Sequence, residues 1–146
     1  MQKLLAVPLF LLAVTANAAG VYKQPAVKLT FTVDGTTVST TSLISTLTVV
    51  PYGTSKVIAV HILNNTAVAK NWSISINELT GAISGQFVQD AGCDTTVAAY
   101  ATCTVNVTYT PDAASPDGTV QTDTDNFYID SNGITYKQYS IAGYSQ

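Results

Sequence analysis

Apolar residues in this chain recur at every second position in short runs, with turn residues between the runs. That period belongs to strands with one buried face, because side chains alternate across a pleated sheet. Val27–Val33 (VKLTFTV) places Val27, Leu29, Phe31 and Val33 on one side. Asp34-Gly35 follows, a strong two-residue hairpin signal. Pairing Val33 with Thr36 sets Phe31 opposite Val38, so both apolar residues share a face. The return segment 36–42 is almost all Thr and Ser, which suits an edge strand or a loosely held one. Leu43–Val50 runs into a turn at Pro51-Tyr52-Gly53-Thr54. Residues 57–63 alternate through Ile58, Val60 and Ile62 and close on Asn64-Asn65. Trp72, Ile74 and Ile76 mark another strand; residues 81–85 read as a loop with Phe87 as a plug beneath it.

The stretch CDTTVAAYATCTVNVTYTP, residues 93–111, anchors the pattern. Cys103, Val105, Val107 and Tyr109 face one way, and Thr104, Asn106, Thr108 and Thr110 the other. Pro111 ends the run because proline cannot donate to a strand ladder. The last two strands are expected over 127–130 and 134–141, with Phe127, Ile129, Tyr139 and Ile141 inward. Opposed residues share a face, so paired numbers must have an even sum. That favours a three-residue loop with Gly133 left-handed over a two-residue Asn132-Gly133 loop, unless a bulge intervenes. Tyr128 and Tyr136 then form a cross-strand pair on the outer face.

No segment beyond the first eighteen residues sustains a helical period. About seven or eight short strands divided by turns predict an all-β, antiparallel sandwich. Residues 1–18 are set apart: Lys3, an apolar run and Ala16-Asn17-Ala18 have the form of a bacterial secretory signal peptide. Without Lys3 the chain keeps five lysines against nine acidic residues, a net charge of −4, and it has no arginine. Nucleic acid is a poor partner for such a surface. Two cysteines in an exported chain read as one disulfide, Cys93 to Cys103.

The sole histidine, His61, faces outward by parity with Val60, and no nucleophile is placed beside it. Neither a G-x-S-x-G element nor a phosphate loop is present. Asp123, Asp125, Asn126 and Asp130 form an oxygen-rich candidate for calcium, though without an EF-hand pattern. Tyr128, Tyr136 and Tyr100 are candidate surface contacts for a sugar or a protein, while Trp72 and Tyr109 are expected in the core. Asn64, Asn71 and Asn106 stand in N-x-S/T sequons, incidental in a bacterial protein.

The ordered set STLTVVPYGTSKVIAVHILNNTAVAKNWSI, LTGAISGQFVQDAGC, VAAYATCTVNVTYTPDAA and YSIAGYSQ resembles the abnormal-spindle/hydin type of immunoglobulin-like domain. Bacterial versions are named choice-of-anchor D. The similarity spans residues 45–146 and leaves the hairpin at 27–42 unmatched. It implies an immunoglobulin-like fold in a non-catalytic module of surface, secreted or scaffolding proteins, and it transfers no functional residue.

Taken together, these features divide the chain into a signal peptide (1–18), an N-terminal arm and hairpin (19–42) and an immunoglobulin-like domain (43–146). The expected role is a non-enzymatic, cofactor-free structural or adhesion module, periplasmic or at the cell surface. Its partner would be another protein or itself, and the mature chain would not span a membrane. Two alternatives remain: a fibre subunit that donates residues 27–33 to a neighbour's sheet edge, and a glycan- or calcium-binding module.

Overall fold

A computed structural model describes residues 26–78, 86–112, 118–131 and 134–146. The leader at 1–18, the lead-in before residue 26, the 81–85 loop and the turn residues Asn132 and Gly133 lie outside them. In chain order the strands are β1 (Val27–Val33), β2 (Thr36–Thr40), β3 (Leu43–Val50), β4 (Lys56–Asn64), β5 (Lys70–Asn71) and β6 (Ser73–Glu78). They continue as β7 (Gln86–Gln89), β8 (Thr96–Val97), β9 (Thr102–Thr110), β10 (Gln121–Ser131) and β11 (Ile134–Ser145).

One sheet runs β2-β1-β4-β9-β7 and the other β3-β11-β10-β6, with β5 and β8 as a separate two-stranded piece. The inward residues are those set by alternation. Leu29, Phe31, Ile58, Val60, Val105 and Val107 of the first sheet meet Ile44, Ile74, Phe127, Ile129, Tyr139 and Ile141 of the second. This is a two-layer sandwich with one apolar core.

Asp34 and Gly35 both have positive φ, 48° and 80°, the pairing that a tight two-residue hairpin requires. Phe31 lies opposite Val38, and β2 is the edge of its sheet. At Pro51-Tyr52-Gly53-Thr54 the Thr54 amide donates to the Pro51 carbonyl at 3.1 Å, with Gly53 at φ 79°.

Four expectations need correction. The 27–42 hairpin is not an arm, because β1 pairs with β4 from Val27↔Asn64 to Thr32↔Ala59 and its four apolar residues lie in the core. With β2 and β4 on its two sides, β1 has no free edge to donate, so fibre assembly through residues 27–33 loses its strand. Alternation reads a strand's faces but not its neighbours, so the place of the hairpin in the sheet is not legible from the pattern.

The strand count is also higher. The described part of β7 is four residues, with Phe87 inward, and β5 and β8 have two each, too short for a period to register. Among the described residues every pairing is antiparallel except β3 with β11, which is parallel. Only Thr41 and Ser42 separate β2 from β3, and the chain carries on into the other sheet instead of turning back.

Finally, Ser131 pairs with Ile134 and Ile129 with Lys137, the change of register falling at Ile129/Asp130. A bulge, not a three-residue loop, restores the parity. Tyr128 therefore opposes Gln138, and Tyr136 has no direct cross-strand partner.

Candidate interaction surface

The candidate residues separate when placed in the fold. Asp123 and Asp125 share the inward parity of Phe127 and are buried, whereas Asp130 is on the opposite face of β10. Alternation alone divides the proposed calcium ligands between two sides of a sheet. Asn126 also faces out and accepts a hydrogen bond from the Gln138 amide at 2.9 Å. Among the described residues no group of three or more His, Cys, Asp or Glu side chains could hold a metal.

Asp123 instead has a structural partner. Tyr109, fully buried, donates its hydroxyl to the Asp123 carboxylate, and Phe87 stacks on its ring with centroids 4.9 Å apart. Burial, then the Asp123 hydrogen bond, pushes the Tyr109 phenol well above its ordinary range, with a Ser145 hydrogen bond acting in the other direction. The phenol thus remains a neutral donor. A phenol, a carboxylate and a serine hydroxyl so placed close a polar end of the core.

His61 is half-buried and faces outward as expected. Its Nε2 lies 3.1 Å from the Thr32 hydroxyl and its Nδ1 2.9 Å from the Thr104 hydroxyl. The register puts Thr30 and Thr104 beside it on β1 and β9. The ring is one link in a hydroxyl row across three strands. Both nitrogens have hydroxyl neighbours, and among the described residues no carboxylate orients it as a triad would.

Asn64 ends β4 and has a further role that neither its position nor its sequon signals. It is fully buried. Its amide nitrogen reaches the carbonyls of Val68, Val97 and Ala98 at 2.9, 3.1 and 3.0 Å. Its oxygen accepts from the Thr66 hydroxyl at 2.6 Å. The side chain ties the loop after β4 to β8, and no glycan could be accommodated there. Cys93 and Cys103 are bonded, with Cα atoms 5.5 Å apart, pinning the loop after β7 to the start of β9. Trp72 is in the core, as alternation required.

Two surface features remain. The first is a groove of about 990 Å³ at one end of the sandwich, lined from within by Val27, Leu29 and Tyr139 and outside by Lys28, Tyr136 and Lys137. Tyr136 stands under the Lys70 ammonium, 5.8 Å from the ring centroid. Tyr128 is half-buried and away from this groove, while Tyr100 is exposed elsewhere.

The second feature is the side of the sandwich where β2 and β3 form the edges. Packing of β3 against β1 and β4, and of β6 against β7, puts the two edges on the same side. Between Asp34 and Lys56 the sequence has no charged residue, so neither edge strand has one. Leu43, Leu47 and Val49 of β3 are exposed. Asp34 and Lys56, which bound the uncharged run, pair with each other at 2.6 Å. This run was plain in the sequence; its meaning depends on both strands being edges.

No helix among the described residues is long and apolar enough to cross a membrane. No family model matches the chain, and no curated protein matches it. Among solved structures it is similar to the ASH / PapD-like domain of human CEP192 (PapD-like domain 7). That match has a TM-score of 0.55 at 11% identity and covers 92% of this chain and 96% of that one. At such identity the likeness speaks for fold alone, and on that ground the chain has an immunoglobulin-like β-sandwich fold.

Proposed function

We propose that this protein is an exported, non-enzymatic interaction module of the abnormal-spindle/hydin type, structural or adhesive in the periplasm or at the cell surface. The observation that carries the interaction role is the pair of uncharged strands β2 and β3, both sheet edges among the described residues, with Leu43, Leu47 and Val49 exposed on β3. An edge strand presents unpaired amide and carbonyl groups, and proteins usually guard such edges with charge or proline. Here that guard is missing from both strands. A sheet edge of this kind serves as a docking line for another β element.

Export is supported by the leader-like residues 1–18 and by the bonded cysteine pair, which suits an oxidising compartment. The non-enzymatic reading is supported by His61, held by two threonine hydroxyls, and by acidic candidates split across β10. The test is expression of the full chain in a bacterial host, followed by fractionation and intact mass measurement. The expected product lacks residues 1–18, has its two cysteines oxidised and leaves the cytosol. A full-length, reduced chain confined to the cytosol would overturn the reading.

A further inference from the structure

The groove at the end of the sandwich forms because neighbouring strands stop at different places. Strand β2 ends at Thr40, opposite Leu29. The next two residues cross to the other sheet, where the Ser42 carbonyl accepts the Ser140 amide at 2.8 Å. Val27 and Lys28, paired on their other side with β4, therefore extend past the last pair with β2. In the facing sheet β3 first pairs with β11 at Ser140, so Tyr136, Lys137 and Tyr139 lie before that contact begins.

Lys137 is unusual in this setting. It pairs with Ile129, and opposed residues share a face, so it is on the inner side of its sheet with Ile129 and Tyr139. Ile129 is fully buried and Lys137 is exposed, because the core has run out at this point and the side chain lines the groove. Its ammonium is 5.5 Å from the centroid of the Tyr139 ring. An inward lysine can guard an open strand edge. That role calls for neither a groove nor a second lysine in it.

Positive charge gathers here against the trend of the chain, which is net acidic. The lysines among the described residues are Lys28, Lys56, Lys70 and Lys137. Lys56 is held by Asp34. Lys28 and Lys137 both line the groove, and Lys70 stands over the ring of Tyr136, which lines it as well. No Asp or Glu is among the described lining residues, and neither Lys28 nor Lys137 belongs to an ion pair among them. Such a site is complementary to an anion.

The rest of the lining says what kind of anion. Half-buried Leu63 and the rings of Tyr136 and Tyr139 give apolar wall, extended by the methylene stems of the two lysines. A small hydrophilic anion would leave that wall wet, whereas an alkyl tail removes it from water. We propose that the groove binds a single-chain amphipathic carboxylate, its headgroup taken by Lys28 and Lys137 and its tail lying on Leu63, Tyr136 and Tyr139. This goes beyond the interaction reading above and does not depend on it.

The test is a calorimetric titration of the folded protein with decanoate across about 10 μM to 10 mM, a span that reaches weak binding. The expected result is saturation at one decanoate per chain. Acetate, which has the charge without the tail, should not saturate over that span. Lys28→Gln with Lys137→Gln should weaken decanoate binding about fivefold or more, the combined effect of two exposed charge contacts. Both side chains are exposed, so the substitutions leave the core intact. Lys28→Arg with Lys137→Arg should keep the affinity, and so should Lys56→Gln, which removes a lysine outside the groove. The proposal is overturned if decanoate does not saturate, if acetate binds as tightly, or if the double glutamine variant binds decanoate as well as the unmodified protein. None of these outcomes bears on export or on the edge strands, which the fractionation experiment addresses separately.

Discussion

Replacing Gly143 with alanine is expected to destabilise the protein by about 3 kcal/mol, or to prevent folding, a larger cost than most single methyl additions. A Cβ built at Gly143 would collide with the ring of Tyr109, against three of its carbons. That ring has nowhere to go. It is fully buried, stacked on Phe87 and tied to Asp123 through its hydroxyl. Urea denaturation of Gly143→Ala, of Tyr109→Leu and of the double variant should show strong coupling. Shortening Tyr109 removes the atoms that the new methyl would hit, so the double variant should lose less stability than the two single losses added together. Strict additivity would mean that the ring and the glycine are not in contact.

Loss of the Cys93–Cys103 bridge ranks second. The cysteines are 10 residues apart, and in the chain-entropy view closing such a loop contributes about 2.5–3 kcal/mol, chiefly by restricting the unfolded chain. Cys93→Ala with Cys103→Ala is expected to lower the melting temperature by about 10 °C for a domain of this size. Reductant should do the same to the unmodified protein and nothing further to the double variant. Cys93 is itself buried, so part of any loss would be packing; the reductant arm separates the two, because it leaves both side chains in place. A melting curve unmoved by reductant would show that the bridge does not hold the loop.

Much of this fold was legible because one physical rule, alternation across a pleat, acts locally. It placed Phe31 against Val38, turned Val105, Val107 and Tyr109 inward, and put Phe127, Ile129, Tyr139 and Ile141 in the core. What it could not give was the order of strands. The place of β1 between β2 and β4, and the parallel run of β3 beside β11, depend on contacts between residues far apart in the chain. The bulge at Ile129/Asp130 was named only as the exception to a parity rule, since a bulge has no composition of its own here.

The candidate site was less legible, for a related reason. Acidic residues attract attention in a sequence, yet Asp123 and Asp125 are spent inside the sandwich, one of them as acceptor for Tyr109. The informative segment was a run of threonine, serine and aliphatic residues with nothing chemically distinctive in it. Its lack of charge becomes a signal only once β2 and β3 are known to be edges on the same side.

That arrangement depends on β1 lying inside the five-stranded sheet. Residue-resolved hydrogen exchange on the folded protein addresses it directly, because amides in a strand paired on both sides open only with the whole core. Amides within Leu29 to Thr32 should exchange as slowly as those of β4 and β9, with faster exchange confined to the exposed edge of β2. Rapid exchange along the whole of β1 would contradict the five-stranded sheet, and with it the place of β2 as an edge strand.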